Sequence, residues 1–252
     1  GEVTGGRNSG INIFHYGTDA TLRTGNVTGV TQGIYLLSKA TGAVTIDTTR
    51  GVVTGRTSIA LSARSYGTDL SVTTGSVQGA LSGIRATNNG SGATTVNSLG
   101  GTVTGGTTGI FARSSGSSLS VTSASVSGGT FGVDADNRGS GAVTVDTTAG
   151  TVTAAATTGI RISNGAAATD LGLRAASVTA APAAFAIEAA NLGTGSTRIE
   201  VAEGAVVAGG AGAINASHAG SGSFTIANAG ELRRLSGDPS ALVIDAKSVG
   251  AA

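Results

Sequence analysis

The chain contains no cysteine, methionine or tryptophan, and only 2 prolines in 252 residues. Without cysteine there can be no disulfide, thiolate metal site or thiol nucleophile. This also suits a chain that must stay unfolded while it is exported. Without tryptophan, the strongest stacking platform for a sugar is missing. Charged residues make up 12% of the chain, and 15 Lys and Arg against 14 Asp and Glu leave a formal net charge of +1. No block of one sign occurs, so no net field draws in nucleic acid or an anionic membrane. No apolar run approaches the roughly 20 residues of a membrane span. The opening residues, GEVTGGRNSG, lack the basic and apolar regions of a signal peptide. If the protein is exported, this sequence is expected to be a fragment of a longer one.

What is present is glycine, 43 residues, among small and β-branched side chains, with 39% of residues hydrophobic and 3% aromatic. That is too apolar for a solvated disordered chain. It favours short strands and tight turns, with glycine expected to supply positive φ at the turns.

The sequence repeats. GAVTIDTTRGVVTG at 42–55 returns as GAVTVDTTAGTVT at 141–153. A marker valine before a TG-like turn recurs at Val3, Val27, Val53, Val77, Val103, Val126, Val152, Val178 and Val206, then as Leu232, at intervals of 23 to 28 residues. A second marker runs in step through Ile11, Ile34, Ile59, Ile84, Ile110, Val133, Ile160, Ile187 and Ile214. A third is the alternating pair seen at Val44/Ile46, Leu70/Val72, Leu119/Val121, Val143/Val145, Leu171/Leu173 and Phe224/Ile226. Three short apolar segments per period leave no room for helices and show no i, i+3, i+4 stripe. The expected fold is all-β: a single right-handed parallel β-helix over residues 1–252, about ten coils with three short strands each, on the order of 45–50 Å long. YGTD at 16 and 66 alternates with the GAVT type of coil, which points to a two-coil unit of about 50 residues.

A parallel β-helix sets equivalent residues of neighbouring coils side by side. One outward column reads Arg23, Asp47, Thr73, Asn97, Thr122, Asp146, Arg174, Glu200, and its charges pair along an exposed ladder. The column beside it, Thr21, Thr45, Ser71, Thr95, Ser120, Thr144, is a hydroxyl ladder. Ice-binding surfaces carry similar arrays, but the TVT series is broken by SVQ at 76–78. The column after the second marker reads Asn12, Tyr35, Ala60, Arg85, Phe111, Asp134, Arg161, Glu188, Asn215. It fits either a structural ladder, with Arg85 over Phe111 as a cation–π pair, or a contact surface using Tyr35, Arg85, Phe111 and Arg161. Tyr16 and Tyr66 are expected to cover corners.

No residues gather for catalysis. His15 and His218 fall about eight coils apart, and there is no H-x-x-x-H, serine elbow, P-loop or calcium-type nonapeptide. No adjacent coils hold the paired carboxylates of a glycosidase. The reading calls for no catalytic, metal or cofactor site.

Irregular Gly/Thr/Val/Ala coils without cysteine, with units such as GSGAVTVDTTAGTVT, resemble the passenger domains of Gram-negative autotransporters, the pertactin-like type V secreted proteins. The resemblance covers nearly the whole chain. It implies display as a rod at the outer membrane, crossing through a C-terminal β-barrel that this sequence lacks, and a role as stalk, adhesin or self-association factor. Implied partners are host-cell or matrix molecules, or the same protein on a neighbouring cell. A polysaccharide-acting β-helix enzyme or a phage tailspike is the alternative.

Overall fold

The computed structural model describes residues 2–6, 8–235 and 242–249. Among them all regular structure is strand. The strands form three parallel sheets, two of ten strands and one of nine, and every third strand in sequence joins the same sheet. The chain is a β-solenoid of nine complete turns plus two strands of a tenth. Each coil visits a first sheet with a three-residue strand such as Val53–Gly55, a second with a longer strand such as Ser82–Asn88, and a third such as Leu70–Thr74.

Alternation along each strand builds the core. Val27, Val53, Val77 and Val103 stack in the first sheet, Ile34, Leu61, Ile84 and Ile110 in the second, and Ile46, Val72, Val96 and Val121 in the third, all 2% exposed or less. Cβ-branched side chains suit this narrow interior, because a stiff χ1 fills a fixed slot on each coil.

Two marker positions are displaced from their expected places. Leu61, not Ile59, stands between Ile34 and Ile84, because the corner after Gly55 carries one residue more than its neighbours. Ser62, not Ala60, therefore continues the outward column from Tyr35 to Arg85, and Ala60 is fully buried at the corner. Likewise Val178 pairs with Val207 rather than Val206.

The glycines do not serve the purpose expected of them. Gly204 alone among the described residues has positive φ, 71°. What the others supply is closeness. Gly29, Gly55, Gly79, Gly105 and Gly128 stack in one column at the end of the first sheet. A methyl group on Gly105 would collide with the carbonyl of Thr108 across the bend. At these five positions the bend from first to second sheet leaves no room for a Cβ; the column admits one at Ala154, where the corner runs one residue longer than at Gly128.

The two-coil period has a physical basis at the other corners. The coils that start at Val3, Val53 and Val152 carry an Asp that accepts a backbone N–H of the next coil, and the coil that starts at Val103 has Ser118 in that place. Asp19 Oδ1 accepts from Ala43 N at 2.8 Å, Asp69 Oδ1 from Ala93 N at 2.7 Å and Asp170 Oδ1 from Ser196 N at 2.6 Å. At the following corner Asn26 Oδ1 accepts from Val52 N at 2.9 Å and Ser177 Oγ from Val206 N at 3.0 Å. At Asp19 and Asp69 the GTD corner and the GA corner of the next coil are thus the two halves of one staple.

A buried polar column, unforeseen in the sequence, runs along the edge where the second sheet turns toward the third. Its members include Asn88, Asn137, Asn164, Asn191 and His218, each 1% exposed or less. Asn191 Nδ2 donates to Thr197 Oγ1 at 3.1 Å, and that hydroxyl lies 2.9 Å from His218 Nδ1. His218 Nε2 faces the Gly222 carbonyl at 3.0 Å, which only accepts, so Nε2 carries the proton and Nδ1 takes one from Thr197. The signal was an Asn or His just ahead of each glycine corner, as in NNGSG, NRGSG, NLGTG and HAGSG.

Candidate functional site

Tyr35, Arg85, Phe111 and Arg161 do share one outward column of the second sheet, in the order Tyr35, Ser62, Arg85, Phe111, Asp134, Arg161. Parallel pairing of strands of like register brings them together, since each sits one residue after a core position.

They differ in how far their polar groups are already engaged. The Arg161 fork grips Asp134 with both arms, Nε to Oδ1 at 2.9 Å and Nη2 to Oδ2 at 2.6 Å, and its guanidinium lies 3.9 Å from the Phe131 ring centroid. Its pKa is raised further by this hydrogen bond. Asp134, expected to be an exposed charge, is only 5% exposed. It is buried because the Arg161 fork and the flanking strands cover it, and the pair is a structural clamp. Arg85 has no ion pair among the described residues. It lies 5.6 Å from the Phe111 centroid, and Arg113, in the next outward column, approaches the same ring at 5.2 Å. Arg113 Nε also meets Asp136 Oδ2 at 2.9 Å. Phe111 thus lies near two cations. Tyr35 packs edge-on against Phe14, ring centroids 5.8 Å apart, and Phe14 is 56% exposed.

The charge ladder on the third sheet is present as expected. Arg174 bridges Asp146 at 3.4 Å and Glu200 at 3.2 Å across adjacent coils, and Arg198 also engages Glu200. Asp47 and Asp146 hold their own turns, accepting from the Thr49 and Thr148 hydroxyls at 2.7 and 2.6 Å. Tyr16 and Tyr66, at the corners after the second-sheet strands, are 69% and 46% exposed.

Elsewhere the surface offers only open depressions. One, about 580 Å³, is lined by Arg23, Asn26, Asp47 and Arg50 among others at the first coils. Its Asp47 and Asn26 are committed to backbone and hydroxyl partners. Among the described residues no three His, Asp or Glu side chains gather as a metal site would require. His15 and His218 stand eight strands apart in the second sheet. No protein-family model, curated protein or solved structure matches this chain.

Proposed function

We propose that the chain is a non-enzymatic stalk and attachment section of a bacterial cell-surface protein, of the autotransporter passenger type, displayed on the outside of a Gram-negative cell. The supporting observation is how its polar side chains are used. Carboxylates and amides that catalytic sites would leave poised are tied into coil-to-coil staples, turn caps, the buried Asn column and the Arg161–Asp134 clamp. Such a rod holds a surface at a fixed distance and presents long flat ladders, so contact is spread over many coils.

The test is display of residues 1–252 on an outer-membrane carrier in a non-adherent strain, scored for cell aggregation and host-cell attachment. Gain of either property supports the reading. A substrate turned over by the purified chain, and lost through one point substitution, overturns it.

A further inference from the structure

Five consecutive strands of the second sheet, Ile11–His15, Ile34–Ser38, Ile59–Ser65, Ser82–Asn88 and Thr108–Ser114, contain no Asp or Glu. Their outward positions instead bring together Phe14, Tyr35, Arg64, Arg85, Phe111 and Arg113. Acids return only on the next strand, Phe131–Asn137, with Asp134 and Asp136. The cationic face therefore has a defined end, and its length is four strand spacings, on the order of 20 Å.

We propose that this face binds a linear acidic polysaccharide lying along the solenoid axis, a proposal that rests on the reading of the chain as a surface-exposed attachment rod. Arg64 and Arg85 are exposed and form no ion pair among the described residues; Arg23, Arg50 and Arg56 are also unpaired but lie outside these strands, while Arg113, Arg138, Arg161, Arg174 and Arg198 are engaged. A free guanidinium fork is the natural partner of a carboxylate or sulfate. Arg64 and Arg113 occupy the same column two strands apart, with Thr87 between them, so their spacing is roughly 10 Å. Arg85 stands on the intervening strand, in the adjacent outward column. Cations thus recur on every strand from the third to the fifth. The strand spacing of roughly 4.8 Å sets these cations at regular steps along the axis, so a linear polyanion laid along it meets one on each of three successive coils.

The aromatic rings supply the second half of the recognition. Tyr35 and Phe111 are half-buried and anchored by Phe14 and by the two guanidiniums. They offer apolar area to the C–H faces of sugar rings without the entropy cost of ordering a loop. The chemistry disfavours the other polyanions. Nucleic acid binding needs a dense row of phosphate contacts, and a chain of net charge +1 whose free cations end at Asp134 and Asp136 does not provide one. A membrane surface would need a broad apolar face, and within these strands only Phe14 is largely exposed, with Tyr16, Tyr66 and Leu81 set apart at their ends.

The experiment measures binding of the purified 252-residue chain to immobilised heparin, which carries sulfates and carboxylates, and to polygalacturonate, which carries carboxylates only. Neutral dextran, a single-stranded oligonucleotide and phosphatidylglycerol vesicles complete the set. Binding to one or both acidic polysaccharides is expected, weakening as salt is added, with none to dextran. Arg64→Ser with Arg85→Ser should lower that affinity about tenfold or more. Arg50→Ser with Arg198→Ser removes the same charge from other faces and should change it less than about twofold. Arg85→Lys, which keeps the charge but not the fork, should fall between. Unchanged thermal unfolding of each variant shows that folding is intact.

The proposal fails if neither polysaccharide binds, if both double variants lose affinity equally, or if oligonucleotide or vesicles bind more tightly. Failure here with attachment retained in the display assay leaves the stalk reading standing. Shortening of the bound polysaccharide would overturn the non-enzymatic reading while leaving the face in place.

Discussion

The side-chain amide of Asn137 donates to the side-chain carbonyl of Asn164 one coil away, at 2.9 Å, and Asn164 donates in turn to Asn191 at 3.0 Å. Each amide also ties down its own corner: Asn164 Nδ2 reaches the Thr169 and Asp170 carbonyls at 3.1 Å, while Asn137 and Asn191 accept from Gly139 N and Gly193 N. The row therefore links coils to one another and shapes each turn with the same atoms. Asn164→Leu, nearly equal in size, removes both functions: the Thr169 carbonyl loses its amide donor, and the Asp170 carbonyl keeps only Val143 N. It should cost roughly 2–4 kcal/mol, read as a lowered urea midpoint. An unchanged midpoint would show that the row contributes nothing net.

Glycine substitutions should divide by location. Gly105→Ala forces a methyl against the Thr108 carbonyl at the tight bend and should destabilise by about 2 kcal/mol or more. Gly172 interrupts the outward hydroxyl column between Thr144 and Arg198, and a Cβ there would meet Thr144 Cγ2 at an ordinary 3.6 Å. Gly172→Thr should stabilise by roughly 0.5–1 kcal/mol through strand propensity and a less flexible unfolded chain. Thermal melts of the two variants moving in the same direction would contradict this account.

The corner from the third sheet to the first buries hydroxyls that have no hydrogen-bond partner within the protein: Thr48, Thr74, Ser98, Ser123 and Thr147. Thr74→Val keeps the shape and deletes the unpaired oxygen. It should be neutral or stabilising by about 1 kcal/mol. A loss of more than that in chemical unfolding would mean that the oxygen is hydrogen-bonded in solution.

Asp47 accepts from the Thr49 hydroxyl at 2.7 Å and its amide at 3.1 Å, and these bonds hold its carboxyl below its ordinary value of 3.8. A depressed carboxylate contributes stability that is present above the unfolded pKa and is lost as pH falls through the folded one. The Asp47 contribution is thus complete at neutral pH and disappears below about pH 4. Proton NMR titration should place this carboxyl among the more acidic of the chain, and Thr49→Val should move it back upward. A carboxyl that titrates unchanged in Thr49→Val would disprove the cause.

The period, the three strands per coil and the third-sheet columns could be read from the sequence because alternation is strict where strands run straight. VTIDT at 44–48 and VTVDT at 143–147 can point only one way, since a slip of one residue would turn two apolar side chains out. Corners were less legible. In RTSIAL, Ile59 and Leu61 lie two apart, so either satisfies the pattern, and only pairing with Ile34 and Ile84 chooses Leu61. In AVVAGG, two adjacent valines leave the inward one undecided. The Asn column does not stand out by alternation, since a polar side chain reads as exposed, whereas at a corner, where backbone groups turn inward without a neighbouring strand, an amide fills the space and satisfies them. For the candidate face, the column of Tyr35, Arg85, Phe111 and Arg161 was visible by counting. That Asp134 captures Arg161, leaving Arg85 unpaired, depended on side-chain geometry that spacing does not carry.

The pairing of coils by staples constrains how such a rod can change over generations. Excision of one coil would set two acceptor-bearing corners, or two donor-bearing ones, against each other and leave Asp19 or Asn26 without a mate. Excision of the second and third coils together would set Asp19 against Ala93 and restore the match. Recombination between near-identical stretches such as those at 42–55 and 141–153 removes or adds coils in even numbers. Among the stapled coils, length therefore changes with least disruption in whole pairs.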